Sequence, residues 1–175
     1  VATERATAGQ QQARKIIKPQ YSIVPEETVG SQRREPIEIL LAEDNPGDVK
    51  LTRKALEQGD LLNNLHVVND GVEAMKFLRS EGKYADEPMP DLLLLDLNMP
   101  KMDGRQVMED MDSDPKLSRI PVVVLTSSDA EEDVVRSYEL SANAYLTKPV
   151  DFDGFVEIIK RLENFWFEVV KMPPK

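Results

Sequence analysis

From Glu35 onward, hydrophobic positions along this chain follow two alternating rhythms. Compact apolar runs stand at Ile37–Ala42, Leu65–Asn69, Leu92–Leu95, Ile120–Leu125 and Ala144–Leu146, and each reads as a strand. Their starts lie 28, 27, 28 and 24 residues apart, about the length of one strand–helix unit. Between them, residues recur at helical spacing: Val49, Thr52 and Leu56; Val72, Met75 and Leu78; Val107 and Met111; Val134, Val135 and Tyr138. Leu92–Leu95 and Val122–Leu125 are unbroken apolar stretches, the mark of strands covered on both faces. The pattern closes with a helix over 151–171. It predicts an α/β fold, a doubly wound five-stranded parallel sheet with helices on both faces.

Residues 1–34 do not share this rhythm. Gln10, Gln11, Gln12, Pro19 and Pro25 interrupt any sustained period, so this stretch is expected to be a flexible N-terminal extension. Ile16, Ile17, Tyr21, Ile23 and Val24 leave room for a docking segment within it. Residues 35–172 then form the folded domain, with an extended last helix. The chain opens on Val1 rather than Met, as a segment of a longer product would.

Charge separates the two parts. Residues 1–34 carry a net of +3, and residues 35–175 a net of −13, within an overall −10. A domain this acidic is poorly suited to nucleic acid phosphates or to an anionic membrane surface. The absence of cysteine excludes disulfides, thiolate nucleophiles and thiolate metal sites, and a single histidine, His66, excludes multi-histidine metal centres. His66 reads as a partly buried edge-strand residue. No run approaches the ~18 apolar residues of a membrane span, and no signal-peptide core stands near the start, so the expected compartment is the cytoplasm.

Parallel strands joined by right-handed crossovers bring their C-terminal ends to one rim, where ligands bind. The strand tips here are Glu43-Asp44, Asn69-Asp70-Gly71, Asp96, Thr126-Ser127 and Thr147-Lys148-Pro149. If strands one and three are neighbours, Glu43, Asp44 and Asp96 converge. Crowded carboxylates either retain a proton or hold a cation, and an all-oxygen set suits a hard divalent ion such as Mg2+. Lys148 and the Thr126 hydroxyl would offer a positive charge and a donor to an incoming phosphoryl group. That composite describes a phosphoryl acceptor. Taken singly, the pieces have plainer readings: Asp44 or Asn45 is a helix cap with Pro46 in the first turn, and Thr126 and Lys148 are ordinary strand-end residues. An acid closing the buried leucine run, as Asp96 does, is costly without a partner.

Residues 35–172 resemble the receiver domain of two-component response regulators. The resemblance rests on the acidic pair Glu43-Asp44, LLLLDLNMPKMDG at 92–104, VVVLTSSD at 122–129 and YLTKPV at 145–150. Spacings of 30 residues from Asp96 to Thr126 and 22 from Thr126 to Lys148 also fit. The segments LRSEGKYADEPMPDLLLLDLNMP, SYELSANAYLTKPVDFDGF and ENFWFEVV look most like the single-domain regulators paired with phytochrome-type sensor kinases. The resemblance implies a flavodoxin-like sheet of order 2-1-3-4-5. It also implies phosphorylation of Asp96, with Mg2+ held by Glu43, Asp44, Asp96 and the backbone carbonyl of Asn98. Lys148 would pair with a phosphoryl oxygen, and Pro149 would follow a cis peptide bond. Thr126 and Tyr145 would act as the switch pair, Gly104 would supply a tight turn, and Asn98 and Ser128 would tune the lifetime of the phosphate.

The phosphoryl donor is expected to be a separate sensor histidine kinase of phytochrome-like type. Only 27 residues follow Lys148, too few for an output module, so the signal is expected to pass by protein contact. In the last helix, Phe155, Ile158, Leu162, Phe165 and Val169 form a stripe suited to the sheet, while Phe152, Val156, Ile159, Trp166 and Val170 form a second. The plainer reading packs this helix between the sheet and its neighbour helix; the excess, together with the face over strands four and five, points instead to a homodimer or partner surface. Two other functions are consistent with the same fold: a receiver-like interaction module that never takes phosphate, and a Mg2+-dependent phosphohydrolase using Asp96. The intact acidic, hydroxyl and lysine set disfavours the first, and the lack of an evident second acid disfavours the other.

Overall fold

The computed structural model describes residues 36–59, 62–127, 142–148 and 151–163. The N-terminal extension, the helical pattern around Val134–Tyr138, Ser128, Pro149 and the last helix beyond Glu163 lie outside the described residues. Five strands form one parallel sheet: β1 (Ile37–Ala42), β2 (Asn63–Val68), β3 (Leu92–Leu95), β4 (Val122–Thr126) and β5 (Ala144–Thr147). Their order is β2-β1-β3-β4-β5, so the chain reverses direction across the sheet between β1 and β3. Three strands differ in their limits from the sequence reading, β2 also ending at Val68 rather than Asn69. β2 starts two residues before Leu65 because Asn63 and Asn64 pair with Ile37 and Glu38 of β1. β4 starts at Val122, after Ile120 has closed a 3-10 turn over Leu117–Arg119, and runs on to Thr126. β5 extends to Thr147, which pairs with Thr126.

Alternation along each strand divides the interior into two cores. Leu40, Ala42, Leu93, Leu95, Val122 and Val124 pack on one face of the sheet, with α2 (Gly71–Leu78) and α3 (Gly104–Asp112). Ile37, Ile39, Leu41, Leu92, Leu94, Val123 and Leu125 pack on the other, with α1 (Pro46–Glu57) and α4 (Phe152–Glu163). The four leucines of β3 are completely covered, two by each core. Burying a leucine is worth about 1.5–3 kcal/mol, so this strand is a main source of stability.

Two helix faces differ from the sequence reading. In α2, Val72 is exposed, and the buried face is Ala74, Met75, Phe77 and Leu78. Asp70 caps that helix by accepting from the Glu73 amide, and this start angle turns Val72 outward. In α4, the two expected stripes merge within the described residues. Phe155, Val156, Ile159 and Leu162 are buried, Phe152 packs beside them, and Ile158 lies off the buried face. Asp151 caps this helix through the Gly154 amide, and its covered face spans both i+3 and i+4 positions.

Candidate functional site

Strand register assembles the site. Ala42 pairs with Leu95, so the next residues, Glu43 and Asp96, leave adjacent strands side by side. The Asp96 amide donates to the Ala42 carbonyl at 3.0 Å, which fixes the start of the loop after β3. On the far side, Thr126 and Thr147 pair, and the Lys148 amide donates to the Thr126 carbonyl at 2.8 Å. The sheet thereby gathers residues more than a hundred positions apart.

Glu43, Asp44 and Asp96 each offer a carboxylate oxygen, and these oxygens lie within 4.8 Å of one another. Glu43 and Asp96 are buried, while Asp44 is exposed. Helix α1 starts cleanly beside them. Asn45 caps it by accepting from the Gly47 and Asp48 amides, and Pro46 sits in its first turn. Asn45 thus takes the capping role, and Asp44 remains in the carboxylate cluster. A hard oxygen donor set of this kind fits a divalent cation.

Lys148 closes the site. Its Nζ donates to Glu43 Oε2 at 2.5 Å, to Asp48 Oδ2 at 2.9 Å and to Asp96 Oδ2 at 3.0 Å. Burial pulls the ammonium's pKa down, but the bonds to Glu43, Asp48 and Asp96 outweigh it and hold the group well above the ordinary lysine range. Burial likewise pushes the Glu43 carboxyl above its usual range, against the Lys148 contact and the Asn45 amide, which donates to Oε1. Lys148 is therefore a charged lysine among acids.

The loop after β3 is held from several sides. The Asn98 amide donates to Asp96 Oδ1 at 3.1 Å, and Asn98 Nδ2 reaches the Thr126 hydroxyl at 3.4 Å. The Gly104 amide donates to the Leu97 carbonyl at 3.0 Å. A Cβ at Gly104 would lie 2.3 Å from the Asp96 carbonyl oxygen, so close backbone approach demands glycine there. Gly104 is absent from the positive-φ positions, so it is this close approach, and not a left-handed backbone, that calls for glycine at the start of α3. Lys101, at φ +65°, turns the loop and pairs with the buried Asp70 at the start of α2.

Glu43, Asp44, Asp96, Asn98, Thr126 and Lys148 thus meet at one rim, as the sequence predicts. Tyr145 lies on β5, half-buried against the core that contains α2 and α3. His66 lies on the edge strand β2, its two ring nitrogens 2.7 Å from Glu38 and 3.3 Å from Glu87, away from the rim. Asp48 was not singled out by the sequence reading. Its signal is the Asn45-Pro46 helix start, which places the third helical residue beside the strand tips.

A five-stranded 2-1-3-4-5 sheet with an acidic cluster, a hydroxyl and a lysine at its C-terminal rim defines a phosphoacceptor signalling domain. Residues 39–160 match the response regulator receiver domain family, and the chain belongs to it. It is 44% identical over 138 residues to response regulator Rcp1 of Synechocystis sp. (strain ATCC 27184 / PCC 6803 / Kazusa), covering 79% of this chain and 94% of that protein. The crystal structure of the phosphorylated cyanobacterial phytochrome response regulator RcpA superposes with a TM-score of 0.77 at 44% identity, covering 80% of this chain and all of that one. The Mn(2+)-bound form of Rcp1 gives 0.75, also at 44% identity, over 79% of this chain and 100% of that one. The chain is accordingly a two-component phosphoacceptor of the kind these single-domain regulators represent. No helix among the described residues is long and apolar enough to cross a membrane.

Proposed function

We propose that Asp96 is the phosphoryl acceptor of this receiver, and that a phytochrome-like sensor histidine kinase in the cytoplasm supplies the phosphoryl group. The observation carrying this reading is the 3.0 Å contact between Lys148 Nζ and a carboxylate that sits in the acidic cluster at a buried strand tip. An Asp96 carboxylate oxygen attacks the donor's phosphorus. The new O–P bond forms as the bond to the donor's leaving group breaks, and that group departs with the electron pair. Lys148 neutralises a phosphoryl oxygen, and the Thr126 hydroxyl donates to another. Glu43, Asp44, Asp96 and the Asn98 carbonyl would hold Mg2+, which supplies positive charge against the phosphoryl oxygens. Asn98 and Ser128 adjust how readily water hydrolyses the acyl phosphate, and the chemistry proposed for this chain is self-catalysed phosphotransfer and dephosphorylation. Likeness to the cyanobacterial phytochrome response regulator RcpA and to the bacteriophytochrome response regulator AtBRR, at 47% identity, supports the choice of kinase.

Phosphorylation adds roughly −1.5 to −2 charges at one point. A charge-assisted bond from Thr126 is worth about 1.5–3 kcal/mol. That shifts a two-state equilibrium by about tenfold to a hundredfold, with Tyr145 following Thr126 as the second switch residue. The output is protein contact, including a homodimer formed through the last helix and the face over β4 and β5. The apolar residues Phe165, Trp166 and Phe167 support that assignment.

The test is incubation with Mg2+ and acetyl phosphate, read by intact mass. One phosphoryl adduct, absent in Asp96→Asn and in EDTA, is the expected result. An unmodified wild-type chain, or an adduct that persists in Asp96→Asn, would reject the assignment.

A further inference from the structure

Asp48 lies outside the carboxylate cluster that fits a cation, yet it holds one of the three N–H donors of Lys148. The other two point to Glu43 and Asp96. In the proposed function, Glu43 is a metal ligand and Asp96 becomes the phosphorylated residue. Both must redistribute their oxygens when the site is used. Asp48 has no such second duty.

Its backbone is held through both its amide and its carbonyl. The Asp48 amide is bonded by the Asn45 cap, and Pro46 sets the backbone one residue past that cap. The buried Thr52 hydroxyl donates to the Asp48 carbonyl at 2.9 Å. The helix N-terminus favours a carboxylate at this point. The side chain is itself about a third exposed, whereas Lys148 is almost covered. Asp48 is therefore a carboxylate on an anchored stretch of backbone at the edge of the site, with the lysine as its partner.

Resting on the reading of Asp96 as acceptor, we infer that Asp48 is a positioning residue: it tethers the Lys148 ammonium at the rim through a contact that neither cation binding nor phosphorylation has to break. Without this tether, Lys148 would have to find the phosphoryl oxygen from a wider range of side-chain conformations. Asp48→Asn keeps the shape and removes the charge. Asp48→Glu keeps the charge.

The experiment has two independent readouts on the full chain, with thermal unfolding to check that each variant folds. In the first, phosphorylation by acetyl phosphate and Mg2+ should slow about tenfold in Asp48→Asn, the scale of one charge-assisted hydrogen bond, and recover largely in Asp48→Glu. In a Lys148→Gln background, Asp48→Asn should cost nothing further. In the second, brief acylation without metal is followed by peptide mass mapping. Labelling of Lys148 should rise several-fold in Asp48→Asn, while the exposed Lys50 on the same helix stays unchanged. Unchanged or faster phosphorylation in Asp48→Asn, an equal loss in the Lys148→Gln background, or unchanged Lys148 labelling would overturn the inference. A wild-type chain that takes no phosphate at Asp96 would sink the acceptor assignment instead, and the labelling readout would still decide the role of Asp48.

Discussion

Replacing Gly104 with alanine tests how tightly the reacting loop is fitted to its helix. The added Cβ would stand 2.3 Å from the Asp96 carbonyl oxygen, 2.9 Å from Leu97 Cα and 3.1 Å from the Asp96 carbonyl carbon. All three are backbone atoms, so no flexible side chain can yield. Restoring an ordinary separation of about 3.5 Å requires a backbone movement of roughly 1 Å. Overpacking of this kind costs about 1–3 kcal/mol, and the backbone neighbours place Gly104→Ala near the upper end. At roughly 3–4 °C per kcal/mol for a domain this size, the melting temperature should fall by about 10 °C. A ~1 Å displacement of reacting atoms can cost about a hundredfold in rate, so phosphorylation should fall with it. Gly82 provides the control. It has φ +61° and open space around its missing Cβ, so Gly82→Ala should cost only the strain of a left-handed residue, about 1 kcal/mol, and leave phosphorylation intact. Circular dichroism melts and phosphorylation time courses measure both. A Gly104→Ala variant that melts and reacts like the wild type would refute the close-approach explanation.

The Asp70–Lys101 pair gives a pH prediction. Burial pushes the Asp70 carboxyl pKa up, but the Lys101 ammonium and the Glu73 amide outweigh it and hold it below the usual range. The unfolded chain therefore binds this proton more readily, and the stabilisation is present above the ordinary aspartate pKa and lost as pH falls through the folded value. The melting-temperature gap between wild type and Asp70→Asn should be full at neutral pH and close under acid; a gap constant from pH 7 to pH 2 would contradict it. For the dimer, a chain ending at Leu162 should still accept phosphate but run as a monomer in light scattering. An unchanged mass would place the interface elsewhere.

The rim chemistry was legible because parallel strands leave little freedom: once the runs at 37–42, 92–95 and 122–125 are strands, their following residues must share an edge. Asp96 was the clearest, since an acid after four buried leucines has to be met by a partner, and Lys148 meets it. Helix faces were less legible. Val72 follows the right spacing, yet the Asp70 cap sets the phase of α2 and turns it out. Ile158 sits at a proper interval from Phe155 but loses its place on the sheet to Ile159. Asp48 was hidden for a different reason. An acid in the first turn of a helix already has an adequate local explanation in the helix dipole, and only the distance across to β5 gives it a further one.

The pattern of β3 bears on how a signal leaves this molecule. Leu92 and Leu94 are wedged into one core while Leu93 and Leu95 are wedged into the other, so the strand is clamped like a plank between two vices. Close-packed interiors transmit strain and yield very little. A charge placed on Asp96, the proposed acceptor, would push against that firm footing, and the residues at neighbouring strand tips would yield first. On the proposed reading, the message would spread sideways along that edge rather than through the thickness of the sheet.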